Sequence, residues 1–482
     1  MKGLPMRSID LLLALAGSLA LRYGFGLEPI WWLAWLAPAP VLVAALRTGH
    51  LPAFGLTLLA ALIGSSGQTP YFALVMPLPA ALLVTVLLAL AWVLVIMLAR
   101  RVMLRSASSW SVLAYPLLWC ALDTLLAALH PDGNWGSPAY SQADVLPAVQ
   151  IVALTGVAGL VFVLALLPSA LAFAAVRGWQ AGRVALGCAM ALTAATFAFG
   201  HWRMPAVAPA GGHTVGLAVI DNFIGPRTPP ETVERIWAQY ERHVAALAGQ
   251  GATIVVLPEK IATLPPDAAD VLAKRLGALA ARAHVWLAVG VGIDDAGRKH
   301  NLAWLFAPNG QRDAAYVKHH LAPPEREFLP GAAYDVRPIG GTRYGLAVCK
   351  DMHFAAMGRA YGQRQVQAML VPAWDFNADG RYAARLSALR GVESGFAMVR
   401  AAREGLLTVS DAYGRVIAET PSAGLPGATL LARVPAQHIA TPYARWGDWF
   451  GWRATVGAAV LLAWPMLTRR ARQPAQGMAP AR

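Results

Sequence analysis

Gly345-Leu-Ala-Val-Cys349-Lys-Asp351 contains the only cysteine outside the strongly apolar segments of the 482-residue sequence. A short apolar run of this kind is typical of a buried β-strand. The thiol at its end is mostly protonated at neutral pH, so it needs a nearby base or cation to act as a nucleophile. A buried, unreactive core cysteine is the common alternative for this residue type. Cys349 is therefore a candidate nucleophile whose assignment depends on its partners.

Two other strand-like runs end in groups that complement a thiol. Glu259 follows the run Thr253–Leu257, and Lys318 follows Tyr316-Val317. A glutamate can take the thiol proton and return it to a leaving group, and a lysine can stabilise an oxyanion on an attacked carbonyl. Either residue alone is readily explained as a loop or surface charge. Because three strand ends carry complementary groups, we predict that Glu259, Lys318 and Cys349 form one catalytic site.

The segment around these residues alternates between strand and helix patterns. The helical patterns are Pro230–Leu247 and Asp267–Ala283, each with an apolar stripe. The predicted strands are Thr214–Ile220, Thr253–Leu257, Val285–Ile293, Leu302–Phe306, Tyr344–Val348, Ala368–Val371 and Ala397–Ala401. This alternation predicts an α/β domain with helices on the outer faces of a sheet.

The rest of the chain is far more apolar than a soluble enzyme. Hydrophobic residues make up 57% of the sequence and charged residues 14%, with a formal net charge of +14. Many basic residues lie in short clusters beside apolar segments, which indicates a membrane protein and not a nucleic-acid partner. Eight segments near the length needed to cross a bilayer are predicted membrane helices: about 8–26, 30–47, 51–66, 78–99, 110–129, 149–176, 183–200 and 450–468.

Loop charges predict the orientation. Arg47, Arg100 and Arg183 lie in or beside alternate loops, whereas the loops 67–77 and 130–148 contain no lysine or arginine. By the positive-inside rule, both termini are expected in the cytoplasm. The expected division is a membrane domain of about seven helices at 1–200, an extracytoplasmic catalytic domain at 201–449, a C-terminal transmembrane helix at 450–468 and a cytoplasmic tail at 469–482.

These motifs carry a family resemblance. Leu257-Pro-Glu259, Lys318-His-His-Leu321 and Cys349 resemble the Glu-Lys-Cys triad of the nitrilase (carbon–nitrogen hydrolase) superfamily. Seven predicted spans, then such a domain, then a last span resemble the bacterial apolipoprotein N-acyltransferase family. Other matching pieces are Tyr140-Ser-Gln142, Gln150, Gly156, Glu327-Phe-Leu-Pro330, Arg390-Gly-Val-Glu393 and Val399-Arg400.

The resemblance implies an α-helical membrane bundle joined to a four-layer α-β-β-α sandwich. It also implies that Cys349 attacks the sn-1 ester of a phospholipid such as phosphatidylethanolamine, giving a thioester. The amine of a diacylglyceryl-modified cysteine on an apolipoprotein then attacks that thioester. Glu259 would be the base and Lys318 the oxyanion partner, at the periplasmic face of a bacterial inner membrane. No cofactor is expected, because the acyl donor is already an ester.

Further site residues follow from the same resemblance. Glu327 is interpreted as the supporting glutamate, although it lies nine residues after Lys318, one more than in the family, and Glu325 competes for the role. Trp374 resembles a tryptophan near the family's active site, with a packed core aromatic as the alternative. Lys350-Asp351 replaces an aromatic residue and a glutamate, so we interpret Asp351 and Trp374 as substrate-binding candidates.

Three other functions remain open from the sequence. The same triad could serve a membrane-bound amidase that uses water, or an acyltransferase with a different amine acceptor. A non-enzymatic scaffold or transporter with a degenerate domain is the third. The intact triad argues against the scaffold. The sequence has no His-Glu-x-x-His or Cys-x-x-Cys pattern, so no metal site is predicted.

Overall fold

A computed structural model describes residues 7–106, 108–206, 211–220, 222–225, 227–424 and 427–470. Most of the N-terminal part is helical, and its helices largely coincide with the apolar segments of the sequence. Those helices are α1 (Ser8–Gly24), α2 (Pro38–Arg47), α3 (His50–Ser65), α4 (Thr69–Val75), α5 (Leu78–Arg105), α6 (Ala114–Leu129), α7 (Leu146–Val149), α8 (Val152–Thr155), α9 (Val157–Arg177) and α10 (Trp179–Arg203). Two helices lie near the C-terminus, the short α15 (Pro442–Trp446) and the longer, apolar α16 (Trp449–Arg470).

The count of membrane spans differs from the eight predicted. Four stretches of the described chain are long and apolar enough to cross a membrane: Leu78–Arg105, Ser109–Leu129, Val157–Arg177 and Trp179–Arg203. Helices α3 and α4 together make a fifth candidate, bent by 57° at the break between them. All eight predicted segments contain helix, but several are too short or interrupted to count. The membrane part is thus a helical bundle with four or five candidate spans.

Gly156 explains one interruption. The predicted helix 149–176 breaks into α7, α8 and α9, and Gly156 at the last break has a φ of +66°. A Cβ atom there would lie 2.4 Å from Cε2 of Tyr443. Because only glycine adopts this φ easily and leaves room for the ring, the chain turns here and α9 starts afresh.

The catalytic domain contains two sheets. The strands are β1 (Thr214–Val219), β2 (Ile254–Val256), β3 (Thr263–Leu264), β4 (Trp286–Asp295), β5 (Arg298–Phe306), β6 (Arg312–Val317), β7 (Val336–Ile339), β8 (Thr342–Leu346), β9 (Ala368–Trp374), β10 (Ala397–Arg403), β11 (Leu406–Ser410), β12 (Val416–Pro421) and β13 (Ala428–Arg433). One sheet has the order β13-β1-β2-β4-β5-β6 with β3 beside β4, and the other has β12-β11-β10-β9-β8-β7. All seven predicted strands are present.

The two sheets pack face to face. Apolar side chains of β1, β2 and β5 meet those of β8, β9 and β10 in one buried cluster. Helices α11 (Pro230–Gly249) and α12 (Pro266–Ala283) cover the outer face of the first sheet. Helix α14 (Gly380–Ser394) packs on β10 and β11 of the second. Together with α13 (Ala355–Gln363), these layers give the expected α-β-β-α sandwich.

Candidate active site

The candidate nucleophile, Cys349, lies at a sharp turn that follows strand β8 of the second sheet. Cys349 lies three residues past β8 and begins a 3₁₀ turn, Cys349–His353, with a φ of +42°. A non-glycine residue in this left-handed region is strained, and such strain occurs where surrounding structure fixes a functional side chain. Its Sγ lies 3.5 Å from the carbonyl oxygen of Trp374, and the residue is 8% exposed. The turn therefore presents the thiol to a small, sheltered space.

Asp351 holds this turn in place and does not face a substrate. Its Oδ2 accepts hydrogen bonds from the Val348 N–H (3.0 Å) and the Tyr316 hydroxyl (2.7 Å). Its Oδ1 accepts from the backbone N–H groups of His319 (3.1 Å) and His320 (2.8 Å). The side chain is fully buried. The interpretation of Asp351 as substrate-binding is corrected: its acceptor positions are taken up in joining the nucleophile turn to the Lys318 segment.

Lys318 lies between two carboxylates. Its Nζ donates to Glu259 Oε1 at 2.8 Å and to Glu325 Oε2 at 2.7 Å, and the residue is 1% exposed. Burial opposes the charge, but attraction by both glutamates outweighs it and raises the pKa of Lys318 above its usual range. Asn301 donates from Nδ2 to Glu259 Oε1 (2.5 Å) and Glu325 Oε1 (2.7 Å). The Lys318 ammonium is thus fixed between two glutamates whose side chains are held in place by hydrogen bonds.

Glu325, and not Glu327, is the second glutamate of this cluster. The 3₁₀ turn Pro323–Glu325 directs the Glu325 side chain inward, where it is 3% exposed and also contacts Lys260. Burial works to raise the pKa of Glu325, but Lys318 and Lys260 outweigh it and lower that pKa. Glu327 lies on the surface, 75% exposed, and pairs with Lys299. The interpretation of Glu327 as the supporting glutamate is corrected, because two residues past the turn its side chain points to solvent.

We expect the two glutamates to respond differently to the same change. Glu325→Gln should slow turnover about tenfold or more, because Lys318 loses one of two charged acceptors. Glu327→Gln should leave the rate within about twofold, as exposed pairs contribute little. The steady-state turnover rates of both variants test this. Equal loss in the two variants, or an unchanged Glu325→Gln enzyme, would contradict the placement.

Glu259 joins the two sheets at the site. It follows β2 of the first sheet, and its backbone N–H donates to the carbonyl of Ala373 on β9 of the second sheet at 3.2 Å. The base candidate is therefore fixed to the strand that also ends in Trp374. The structure brings all three triad candidates, Glu259, Lys318 and Cys349, to the lining of one pocket.

That pocket has an empty volume of about 680 Å³ and also includes Trp374. The indole Nε1 of Trp374 donates to Glu404 Oε2 at 3.2 Å, and the Arg403 guanidinium lies 3.8 Å from the ring centroid. This placement is compatible with a substrate-binding residue, a role that stays a prediction. Lys350 lines the same pocket, and its Nζ contacts the Asp132 carboxylate and donates to the Leu321 carbonyl at 2.9 Å.

One wall of the pocket comes from the membrane bundle. Tyr71 of α4 lines it, and its ring stacks on Trp135 with centroids 4.6 Å apart. Trp135 in turn packs against His353 (4.9 Å) and Tyr382 (4.8 Å) of the catalytic domain. A loop and a short helix of the membrane part thus close the site from one side. Neither aromatic residue was predicted from the sequence.

The surroundings keep the resting thiol protonated. Burial raises the pKa of Cys349, the Glu259 charge raises it further, and Lys318 and Arg400 offset only part of this. A preformed thiolate is therefore disfavoured. Attack on a carbonyl requires a base that removes the proton as the new bond forms.

Three polar residues that were not proposed as site residues from the sequence lie at the pocket: Asp375 and Asp379 line it, and Asn301 donates to Glu259 and Glu325. Arg400 is fully buried and makes a two-pronged contact with Asp375, Nη1 to Oδ2 at 2.8 Å and Nη2 to Oδ1 at 2.5 Å. The motif Pro372-Ala-Trp-Asp375 could have drawn attention to Asp375, whereas Asn301 lies inside a strand with no signal of its own. Within the described ranges, no group of three His, Cys, Asp or Glu side chains is arranged to hold a metal ion.

Comparisons with known proteins agree with this architecture. The family model of the apolipoprotein N-acyltransferase N-terminal domain matches residues 17–171, and that of carbon-nitrogen hydrolase matches residues 222–440. The apolipoprotein N-acyltransferase of Geobacter metallireducens is 29% identical, with 94% of this chain and 95% of that protein aligned. That of Gloeobacter violaceus is also 29% identical, with 92% of each covered.

Among solved structures, an amidase from Nesterenkonia sp. AN1 covers 52% of this chain and 99% of its own, with a TM-score of 0.41 and 22% identity. The expectation of an acyltransferase enzyme is confirmed by the relatives that align along nearly the whole length. Because both family models match in order and those alignments span the two domains, the chain belongs to the apolipoprotein N-acyltransferase family, within the nitrilase or carbon–nitrogen hydrolase superfamily.

Proposed function

We propose that this enzyme transfers an acyl chain from a phospholipid to the N-terminal amine of a diacylglyceryl-cysteine apolipoprotein through a thioester on Cys349. The observation that carries the proposal is the composition of one pocket. It combines a buried thiol, a glutamate and a paired lysine with a wall from an apolar, bent helix pair of the membrane bundle. A catalytic thiol beside membrane helices suits a lipid ester as the acyl donor.

In the first half-reaction, Glu259 takes the proton from Cys349 while Sγ bonds to the ester carbonyl carbon. The carbonyl oxygen gains negative charge, which the Lys318 ammonium stabilises. The tetrahedral intermediate then collapses, the C–O bond breaks, and Glu259 returns the proton to the departing lysophospholipid oxygen. The enzyme is left as an acyl thioester. Because the thiol is held protonated at rest, this use of Glu259 as base fits the electrostatics of the pocket.

In the second half-reaction, the neutral amine of the acceptor attacks the thioester carbon. A C–N bond forms, Glu259 takes one proton from nitrogen, and the C–S bond breaks as that proton passes to sulfur. Lys318 again lies where it can stabilise the oxyanion. The products are an amide on the lipoprotein and the free thiol. Thioester and amine occupy the same pocket in turn, which is a ping-pong sequence.

The donor is proposed to be a phospholipid of the phosphatidylethanolamine kind, and the membrane a bacterial inner membrane. The catalytic domain is proposed to lie on the periplasmic side with both termini in the cytoplasm. This orientation is supported by the basic residues next to α2, α5 and α9 and by the segments 67–77 and 130–148, which contain no lysine or arginine.

We expect the purified enzyme to gain the mass of one acyl chain after mixing with a defined phospholipid, and Cys349→Ala to gain none. Adding a diacylglyceryl-cysteine peptide should remove that mass and give the N-acylated peptide. Intact-mass spectrometry measures both steps. Absence of an adduct with every phospholipid tried, in a folded enzyme, would exclude this donor chemistry. An adduct lost to water as fast as to the peptide would favour an amidase-like hydrolase.

A further inference from the structure

One carboxylate in the active-site pocket differs from the others in its partners. The four acidic residues that line the pocket are Glu259, Glu325, Asp375 and Asp379. The two glutamates contact Lys318, and Asp375 is bound by the guanidinium of Arg400. Among the described residues, no lysine, arginine or histidine forms an ion pair with Asp379.

Asp379 is nevertheless deeply buried. It immediately precedes α14, is 3% exposed, and its Oδ1 accepts a hydrogen bond from the Phe376 N–H at 2.8 Å. Removing a carboxylate from water without a cation costs free energy. Burial and the neighbouring Asp375 together raise the pKa of Asp379 to about 7, and Arg400 offsets only part of this. The Asp379 carboxylate therefore lacks a cationic partner among the described residues, and the pocket can accept one more positive charge beside it.

A turn-forming role alone does not account for this residue. Serine or asparagine can accept the Phe376 N–H at such a turn as well, and neither buries a charge. Asp379 lines the same pocket as the Cys349 thiol and Tyr71 of the membrane bundle. A cation that reaches Asp379 is thus inside the reaction chamber and next to the wall built by α4.

We propose that Asp379 binds the primary ammonium group of a substrate, in the first place the N-terminal ammonium of the acceptor lipoprotein, and holds it beside the Cys349 thioester. This inference rests on the proposed function. The acceptor supplies one positive charge on a primary amine, and a single carboxylate without a cation is the complementary partner. The ethanolamine headgroup of a phospholipid donor carries the same chemical group, so the two sources must be separated by experiment.

Binding the ammonium also resolves the proton count of the second half-reaction. The ammonium has three N–H protons and no lone pair, so one proton must leave before nitrogen can attack. Asp379 takes that proton, Glu259 takes the next as the C–N bond forms, and the amide keeps the last. An α-amine has a pKa of about 8, and burial together with Asp375 raises the pKa of Asp379 above the usual carboxyl range, which favours this transfer. The proton on Asp379 returns to water when the product leaves.

The two half-reactions can be measured separately with Asp379→Asn, which keeps the Oδ1 acceptor for Phe376 and removes the charge. Acyl-enzyme is first formed from phosphatidylglycerol, which has no ammonium, and is then mixed with the diacylglyceryl-cysteine peptide. We expect acyl-enzyme formation within about twofold of wild type and peptide acylation slowed about tenfold or more. Hydroxylamine, which is uncharged at neutral pH, should cleave both acyl-enzymes equally. Glu327→Gln, an exposed carboxylate, is the matched control and should match wild type throughout.

The outcomes distinguish the sources. Loss confined to peptide acylation supports recognition of the acceptor amine. Loss confined to acyl-enzyme formation from phosphatidylethanolamine, with phosphatidylglycerol unaffected, assigns the ammonium to the donor headgroup and overturns the acceptor assignment. Unchanged rates, or equal losses with phosphatidylglycerol and hydroxylamine, overturn both. A wild-type enzyme that forms no acyl adduct would instead contradict the proposed function itself.

A second measurement does not depend on that variant folding. Cys349→Ala enzyme should bind the diacylglyceryl-cysteine peptide with a free amine about tenfold more tightly than the same peptide with an acetylated amine. Equal affinities would overturn the proposal. Binding is read from tryptophan fluorescence in the detergent-solubilised protein.

Discussion

Replacing Lys318 by methionine is expected to slow acyl transfer about 100- to 1,000-fold and to destabilise the catalytic domain by about 3 kcal/mol. Methionine fills a similar volume but leaves the oxyanion without a cation. It also leaves Glu259 buried with the Asn301 amide as the remaining side-chain donor among the described residues, while Glu325 keeps Lys260. The transfer rate and the thermal midpoint of the detergent-solubilised enzyme measure the two effects.

Lys299→Met is the matched control, because Lys299 pairs with the exposed Glu327 at the surface of the same sheet. It should change neither quantity appreciably. If Lys318→Met unfolds the domain, Lys318→Arg keeps the charge in a different shape. The Lys318→Arg variant should restore the stability of the domain more fully than the transfer rate, because the planar guanidinium cannot occupy the same point between two carboxylates. A Lys318→Met enzyme with normal turnover would remove the lysine from the mechanism.

The strand ends explain why the central residues could be predicted. Glu259 and Lys318 follow β2 and β6 of one sheet, and Cys349 follows β8 of the other. Apolar runs bounded by polar residues mark such strands in the sequence, and packing the two sheets face to face brings their ends together. The sequence pattern could not predict how the two sheets pack on each other, because that packing depends on contacts between distant segments.

Errors arose where the direction of a single side chain mattered. Glu325 and Glu327 lie two residues apart, and only the 3₁₀ turn at Pro323–Glu325 decides which of them is buried. Asp351 looked like a pocket residue because it follows the nucleophile by two positions. The tight turn there directs its carboxylate back to four protein donors. Family spacing gives position along the chain, but not orientation at a turn.

The contacts between the two domains also could not be predicted from the sequence. Tyr71 and Trp135 lie more than 200 residues before Cys349, in the segments 67–77 and 130–148 that the sequence indicated only as loops. Lys350 contacts Asp132 in that same loop, so the residue after the nucleophile is tied to the membrane bundle. The departure from the family at Lys350 thus has a partner on the other domain, a long-range pairing that no local pattern reveals.

Replacing Glu259 by glutamine is expected to slow acyl transfer about 100- to 10,000-fold while making the thiol easier to ionise. The Glu259 charge is one of the causes that raise the pKa of Cys349, so a neutral amide lowers that pKa. Glutamine can still accept hydrogen bonds from Lys318 and Asn301, which preserves the geometry. Turnover and the pH dependence of Cys349 alkylation by iodoacetamide, read by peptide mass so that exposed Cys188 is not counted, measure the two quantities.

The two quantities are expected to move in opposite directions because Glu259 also acts on protons after the thiol has ionised. A thiolate can attack an ester unaided, but the departing lysophospholipid oxygen needs a proton, and the attacking amine must lose one. Both steps fail without a carboxylate, however reactive the sulfur becomes. If alkylation and turnover fell together, restricted access to the pocket would explain the loss instead. If turnover survived, the base would have to be sought among the remaining carboxylates, of which Asp379 is the one without a cation among the described residues.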